Sequence, residues 1–212
     1  MDLNFQVTAS GRSDAELQER IDNRQKYLPD TIEASLEELQ NRGHSFSEEE
    51  LQAIQEDIQA HRDNALMADS RPWVMNGSYR DVIVDDTSAP SYYSSRVIYI
   101  FSILFGTLFG SIMLAMNVNR TENPAGSVGI IFFGLFCTLA QAFIIAATGS
   151  NLLNIPLLVL GAATLHSFFW KRYIGDSTFY RTRPIWVPLI IGILLSGLVI
   201  GAYIYNLYYP VK

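Results

Sequence analysis

VIYIFSILFGTLFGSIMLAM, at residues 97–116, is the first of four apolar stretches that decide the fold. The other three are SVGIIFFGLFCTLAQAFIIAAT at 127–148, LLNIPLLVLGAATLHSFFW at 152–170 and IWVPLIIGILLSGLVIGAYIY at 185–205. None of them contains Asp, Glu, Lys or Arg, and about 20 such residues are enough for a helix to cross a hydrocarbon core roughly 30 Å thick. The sequence therefore predicts an all-α membrane protein with a bundle of four transmembrane helices over residues 96–209.

The charged residues divide the chain into two parts. Residues 1–95 contain 8 Lys and Arg against 19 Asp and Glu, a net charge of −11. Residues 96–212 contain 7 Lys and Arg against 2 Asp and Glu, a net charge of +5. We therefore expect an acidic water-facing segment at 1–84, a polar linker at 85–95 and then the membrane domain. Nucleic-acid binding is not expected, because a net-negative segment repels the phosphate backbone.

The water-facing segment is predicted to be mostly helical. The stretches Ser13–Glu16 and Ser47–Glu50 each have the spacing of a capping box, in which the two side chains cap the start of a helix reciprocally. Apolar residues recur at helical spacing after each start. The predicted helices cover about 14–28, 30–42 and 48–68.

Two short β elements are also predicted in this segment. Apolar and polar residues alternate over residues 3–8, which is typical of a short strand or an extended arm. Asn76-Gly77 is a favoured two-residue turn, and it is flanked by apolar residues. The sequence therefore predicts a possible hairpin over 73–84.

One part of the segment resembles other proteins. Residues 27–43, YLPDTIEASLEELQNRG, resemble a stretch that recurs near the N-terminus of uncharacterised bacterial multi-pass membrane proteins. The resemblance implies a bacterial cytoplasmic-membrane protein, and it implies no activity.

Four polar residues inside the apolar stretches are candidates for function. They are Cys137, Thr138, Gln141 and His166, and intramembrane polar residues often mark sites. They can equally serve as hydrogen-bond partners between helices. A Cys–His metal site needs more ligands than the sequence offers there, and no nucleophile–base motif is present. We therefore expect no enzyme activity, no metal and no cofactor.

Small residues recur at spacings of four, which lets helices approach closely. The sequence predicts packing faces within one chain, or between copies of it, at Ser102, Gly106, Gly110, Gly192, Ser196, Gly197 and Gly201.

The loop before the fourth stretch is the most basic part of the chain. Its cations Lys171, Arg172, Arg181 and Arg183 are interleaved with aromatic residues, a pattern that suits anionic lipid headgroups. Ordinary topology-setting charge is the alternative interpretation.

Two observations conflict over the side of the membrane on which residues 1–95 lie. With four spans, this loop and Arg120 lie on the side opposite to residues 1–95, so the positive-inside rule places residues 1–95 outside the cytoplasm. The N-terminal residues show no signal peptide that would export them. We expect both termini to be cytoplasmic.

Three functions remain open from the sequence. The first is a non-catalytic accessory or assembly subunit that docks a protein partner, or a second copy of itself, through its acidic segment. The second is a conduit or carrier for a small solute, ion or lipid, lined by Thr138, Gln141 and His166. The third is a lipid-modifying enzyme that uses His166 near the basic loop.

Overall fold

A computed structural model describes residues 3–70 and 82–208. The predicted hairpin at 73–84 therefore lies largely outside the described residues. The all-α prediction is confirmed, since 75% of the chain is helical. The chain forms two compact units. Unit 1 contains Met1–Ser91 and Gly175–Thr182, and unit 2 contains Tyr92–Ile174 and Arg183–Lys212.

The helices and strands have the following bounds. Unit 1 contains α1 (Leu3–Ser10), α2 (Asp14–Asp22), a short 3-10 helix (Arg24–Lys26), α3 (Pro29–Asn41) and α4 (Glu48–Ser70). Unit 2 contains α5 (Ser95–Phe105), α6 (Thr107–Val118), α7 (Gly126–Thr148), α8 (Asn154–Thr164), α9 (Lys171–Tyr173) and α10 (Trp186–Tyr208). A 3-10 helix (Asn151–Leu153) precedes α8, and a π-helix (Leu165–Trp170) joins α8 to α9. Strands β1 (Ser91–Tyr92) and β2 (Arg181–Thr182) pair in a two-stranded sheet.

Unit 1 is built on the apolar faces of its four helices. Its core contains Leu17, Ile32 and Leu39, each at most 1% exposed, together with Ile54 and Ile58 of α4. Both predicted capping boxes are present at the starts of α2 and α4, with the serine and glutamate bonded reciprocally. The caps fix where the helices begin, and the apolar stripes then pack them together.

The strand predicted at 3–8 is wrong, because these residues belong to α1. Phe5 and Ala9 lie four positions apart and pack against the core of unit 1, whereas Val7 is 70% exposed. An alternation of apolar and polar residues over only six positions is compatible with a strand or with a helix. Here the burial of one helical face against the core favours the helix.

The segment predicted as a polar linker at 85–95 is held to unit 1 by a buried carboxylate. Asp86 is 1% exposed and accepts hydrogen bonds from the Thr31 hydroxyl at 2.5 Å, the Ser88 N–H at 2.9 Å and the Leu28 N–H at 3.3 Å. Burial alone disfavours the carboxylate, but these bonds outweigh burial and hold the pKa of Asp86 below its ordinary value. The carboxylate thus caps the N-terminus of α3 from a distant part of the chain.

Residues 175–182 also belong to unit 1, although they are remote in sequence. The Val84 N–H donates to the Tyr180 carbonyl at 3.1 Å, and the Tyr180 N–H donates to the Val82 carbonyl at 3.0 Å. Tyr180 itself is 2% exposed. The chain therefore leaves unit 1 at residue 91, builds most of unit 2, and returns to unit 1 at residue 175.

In unit 2, the prediction of one continuous helix over 97–116 is wrong. Gly106 has φ +98° and ψ 154°, a conformation that side-chain-bearing residues rarely adopt, and it separates α5 from α6. A Cβ on Gly110 would lie 2.9 Å from the Cβ of Ser102. On one straight helix these two residues would be about 12 Å apart along the axis. The two helices therefore fold back on each other as a helical hairpin.

The hairpin is the packing centre of unit 2. Cβ atoms added to Gly134 of α7, Gly161 of α8 and Gly192 of α10 would overlap Ser111, Thr107 and Phe105 respectively. The hairpin thus packs closely against α7, α8 and α10. With 11 residues, α5 is about 16 Å long, roughly half of a hydrocarbon core.

The other apolar stretches form helices close to their predicted bounds. Gly126–Thr148 and Asn151–Tyr173 are long and apolar enough to cross a membrane, with mean hydropathies of 2.3 and 1.7. The apolar part of α10 covers Trp186–Ala202. Phe143 and Leu198 are 74% and 71% exposed, and such exposed apolar surface is unusual on a monomeric soluble protein.

Replacing Gly106 by alanine should lower the free energy of unfolding by about 1–3 kcal/mol, because alanine is strained at this φ. On one continuous helix the same change would instead stabilise by about 1 kcal/mol. Denaturation of the purified protein in mild detergent measures the sign. Gly197→Ala on α10 is the control and should be neutral or slightly stabilising, since open space surrounds its Cβ position.

Candidate functional site

The polar residues predicted within the apolar stretches have separate contacts. The Gln141 amide donates to the Asn154 side chain and ties α7 to α8. The Thr138 hydroxyl donates to the Gly134 carbonyl of its own helix at 2.9 Å. Cys137 is half-buried on α7. The Gln141 bond thus joins two helices, whereas the Thr138 bond stays within α7.

His166 lies on the π-helix and is 4% exposed. A π-helical turn places one extra residue in a helix, and such turns are frequent at functional sites. Here the turn directs His166 into a narrow crevice against the hairpin. The crevice is lined by Ser95, Ile98, Tyr99, Leu114, Ala162, Leu165 and Trp170. Among residues 3–70 and 82–208, no group of three or more His, Cys, Asp or Glu side chains could hold a metal ion.

The small residues predicted for helix packing fall into two sets. Ser102, Gly106 and Gly110 build the hairpin itself, and Gly192 lies against Phe105. Further along α10 Ser196 is half-buried, while open space surrounds the Cβ positions of Gly197 and Gly201.

A buried asparagine closes the open end of the hairpin. The Asn117 side chain accepts from the Tyr93 N–H at 2.9 Å and donates to the Tyr93 carbonyl at 2.7 Å. Asn117 is fully buried, so both bonds lie away from water. Tyr93 immediately precedes Ser94, whose hydroxyl caps α5 at Val97. The start of α5 is thereby tied to the end of α6.

Several other segments lie at the same end of unit 2. The Arg183 N–H donates to the Tyr92 carbonyl at 2.8 Å, and its guanidinium lies 4.4 Å from the ring centre of Tyr93. Tyr173 lies against Gly126. Residues 92–96, 117–126, 171–174 and 183 therefore share one end of unit 2, which we call the basic end.

Two more cations of the basic end lie near aromatic rings. Burial raises the pKa of Tyr92, and the nearby positive charge of Arg120 partly offsets this rise. The Arg172 guanidinium lies 5.8 Å from the ring centres of both Phe168 and Tyr173. Lys171 begins α9, in the same segment. The fourth cation of the predicted loop, Arg181, belongs instead to unit 1, where its N–H donates to the Pro90 carbonyl.

The arginines of unit 1 are largely engaged by its own carboxylates. Arg42 contacts Asp14 at 2.6 Å and Glu38 at 2.8 Å, and the first pair lowers the pKa of Asp14. Three further arginines form equivalent pairs within the unit, and they are Arg12 with Glu16, Arg24 with Asp57, and Arg62 with Asp30 and Glu33. These pairs leave an excess of acidic side chains on the surface.

Part of this excess lies along the outer face of α4. Residues there recur at spacings of three and four, so they form one stripe on the helix surface. We call it the acidic stripe, and its exposed members are Glu49, Gln52, Glu56, Gln59 and Asp63. Gln52 donates to Glu56 at 2.8 Å and Gln59 donates to Asp63 at 2.9 Å. The opposite face of α4 is buried in the core.

Unit 1 also contains a cavity of about 340 Å³. Its polar walls include the Arg24–Asp57 pair, His61 and Asn64, and its floor includes Ile32. The cavity faces α4 from the side away from the acidic stripe, since Ile58 also lines it.

Comparison with known protein-family models, curated proteins and solved structures finds no match to this chain.

Sequence reasoning missed the residues that organise unit 2. Asn117 follows the predicted stretch 97–116 by one position, and a polar residue there is ordinary at a helix end. Gly134 and Gly161 are single glycines within apolar runs, and their role depends on which helix faces them. The available signal was the pair of small residues Ser102 and Gly110, placed symmetrically about Gly106.

Replacing Asn117 by alanine should destabilise the protein by about 2–4 kcal/mol, because the buried N–H and carbonyl of Tyr93 both lose their partner. Thermal denaturation in mild detergent measures this change. Asn119→Ala is the matched control on the exposed side of the same helix end and should change stability little. Equal effects of the two substitutions would contradict the role given to Asn117.

Proposed function

We propose that this protein is a non-catalytic multi-pass membrane protein, an accessory or assembly subunit that docks a protein partner through the acidic stripe of α4. The observation that carries this proposal is the separation of charge within unit 1. Four of its arginines pair with carboxylates inside the unit, whereas Glu49, Glu56 and Asp63 lie exposed along one helix face. Such a face suits a partner that presents a basic helix or segment.

The membrane part of the proposal is supported by the lateral surface of unit 2. The apolar side chains of α7, α8 and α10 point outward along much of their length. Hydrocarbon is the environment that stabilises such a surface. The bacterial cytoplasmic membrane is proposed on the resemblance of residues 27–43 alone.

We further propose three membrane crossings and one re-entrant hairpin in place of four spans. The chain leaves unit 1 at residue 91 and rejoins it at residue 175. A compact unit lies on one side of a membrane, so the chain between these points must cross an even number of times. Two crossings by α7 and by α8–α9 satisfy this, with the α5–α6 hairpin returning to its own side.

This arrangement removes the conflict over sidedness. Arg96, Arg120 and the cations of the 171–183 loop all come to the side of residues 1–91, so the positive-inside rule makes that side cytoplasmic. The third crossing, by α10, then puts the residues after it on the opposite side. In this proposal the C-terminus lies on the non-cytoplasmic side, which differs from the expectation based on four spans.

The conduit hypothesis receives less support. Its three lining residues were Thr138, Gln141 and His166, and each has a different setting. Thr138 bonds within α7, Gln141 bonds to Asn154, and His166 is enclosed against the hairpin. Close packing of glycines around the hairpin leaves the middle of unit 2 filled.

Changing Glu49, Glu56 and Asp63 together to lysine should reduce recovery of the partner by roughly tenfold or more, because like charges then face each other. The full-length protein is purified from native membranes in mild detergent, and the partner is quantified by its stoichiometry and by carbodiimide cross-links to the stripe. Folding of the variant is checked by its melting temperature.

The control changes Asp22, Glu37 and Asp85 to lysine, which alters the net charge equally at exposed positions outside the stripe. Partner recovery should be retained in this variant. A stable monomer without any partner from native membranes would refute the docking function, and equal losses in both variants would refute the assignment to α4.

A further inference from the structure

The hairpin gathers charge at one end of unit 2. In one continuous span, Arg96 and Arg120 would stand at opposite ends of the helix, about 36 Å apart. Instead the Asn117–Tyr93 bonds bring the start of α5 and the end of α6 together. Both arginines therefore lie at the basic end.

The basic end contains every charged side chain in the described part of unit 2. Its cations are Arg96, Arg120, Lys171, Arg172 and Arg183, and its single acid is Glu122. The opposite end, at residues 149–153, has the uncharged sequence GSNLL. Unit 2 is therefore an apolar column with a net charge of about +4 at one end.

The cations stand where the apolar column stops, beside aromatic rings. Arg172 lies next to Phe168, which is 53% exposed, and next to Tyr173. Arg183 lies over Tyr93. Arginine and tyrosine at the margin of an apolar belt are typical of the level of lipid headgroups.

We propose that the basic end of unit 2 is a binding surface for anionic phospholipid headgroups of the cytoplasmic leaflet. The partner is a lipid rather than a dissolved anion, because the five cations lie at the end of an apolar column that is proposed to be embedded in lipid. Anionic lipids attract cations near the membrane surface, and each cation adds to the attraction. This inference rests on the membrane embedding proposed above, but not on the docking function of α4.

The experiment measures which lipids stay bound to the full-length protein. The protein is incubated in mild detergent with equal amounts of phosphatidylglycerol and phosphatidylcholine, and retained lipids are counted by native mass spectrometry. The unaltered protein should retain phosphatidylglycerol in preference. In R120Q/R172Q this preference should fall roughly tenfold or more, since a cation near the surface contributes about fivefold. R12Q/K26Q, which removes two cations from unit 1, should keep it.

A variant that preserves the charges shows whether misfolding causes the loss of lipid preference. R120K/R172K should retain most of the preference for phosphatidylglycerol, because the surface acts through charge. Equal retention of the two lipids by the unaltered protein would overturn the proposal, and so would loss of the preference in R12Q/K26Q. Failure of membrane embedding would be recognised separately, as release of the protein from membranes by alkaline carbonate.

Discussion

The backbone conformation of Gly106 is the constraint on which unit 2 depends. At φ +98° the helix cannot continue, and the apolar stretch at 97–116 is divided between two helices of 11 and 12 residues. Each is too short to cross a bilayer alone. Buried irregular backbone at membrane depth is tolerated when protein surrounds it. Glycines on α7, α8 and α10 provide that cover by letting their helices close on the hairpin.

Much of the local structure could be predicted because it depends on neighbouring residues. The Ser13 and Ser47 capping boxes begin helices where expected, and α7 differs from its predicted stretch by one residue. These elements depend on side chains within a few positions or on the total hydropathy of a run. Both quantities are visible in one sequence.

The missed features depend on contacts between distant residues. The mean hydropathy of residues 97–116 does not depend on the backbone conformation of Gly106. One long helix and two short helices therefore have the same hydropathy. The asparagine that holds the turn lies 24 positions from its partner Tyr93. The sequence predicts a linker at Asp86 for the same reason, since the bonds of Asp86 to Thr31 and Leu28 cross more than 50 residues.

The two units carry opposite charge for different physical reasons. In unit 1 four arginines pair with carboxylates, and part of the surplus acid lies on the outer face of α4. In unit 2 the apolar column contains no charge, so all cations of its described part lie at the end where the hairpin opens. The break at Gly106 thus brings Arg96 to the end that also contains Arg120, Lys171, Arg172 and Arg183.

The most direct test of this account is the sidedness of three single cysteines in full-length protein lacking Cys137. Ser45→Cys reports on unit 1, Asn123→Cys on the segment between α6 and α7, and Ser150→Cys on the turn between α7 and α8. A membrane-impermeant maleimide added to intact cells should label position 150 alone, with 45 and 123 labelled only after permeabilisation. Labelling of 45 and 150 from one side and 123 from the other would show that residues 97–116 cross the membrane, and would contradict the hairpin.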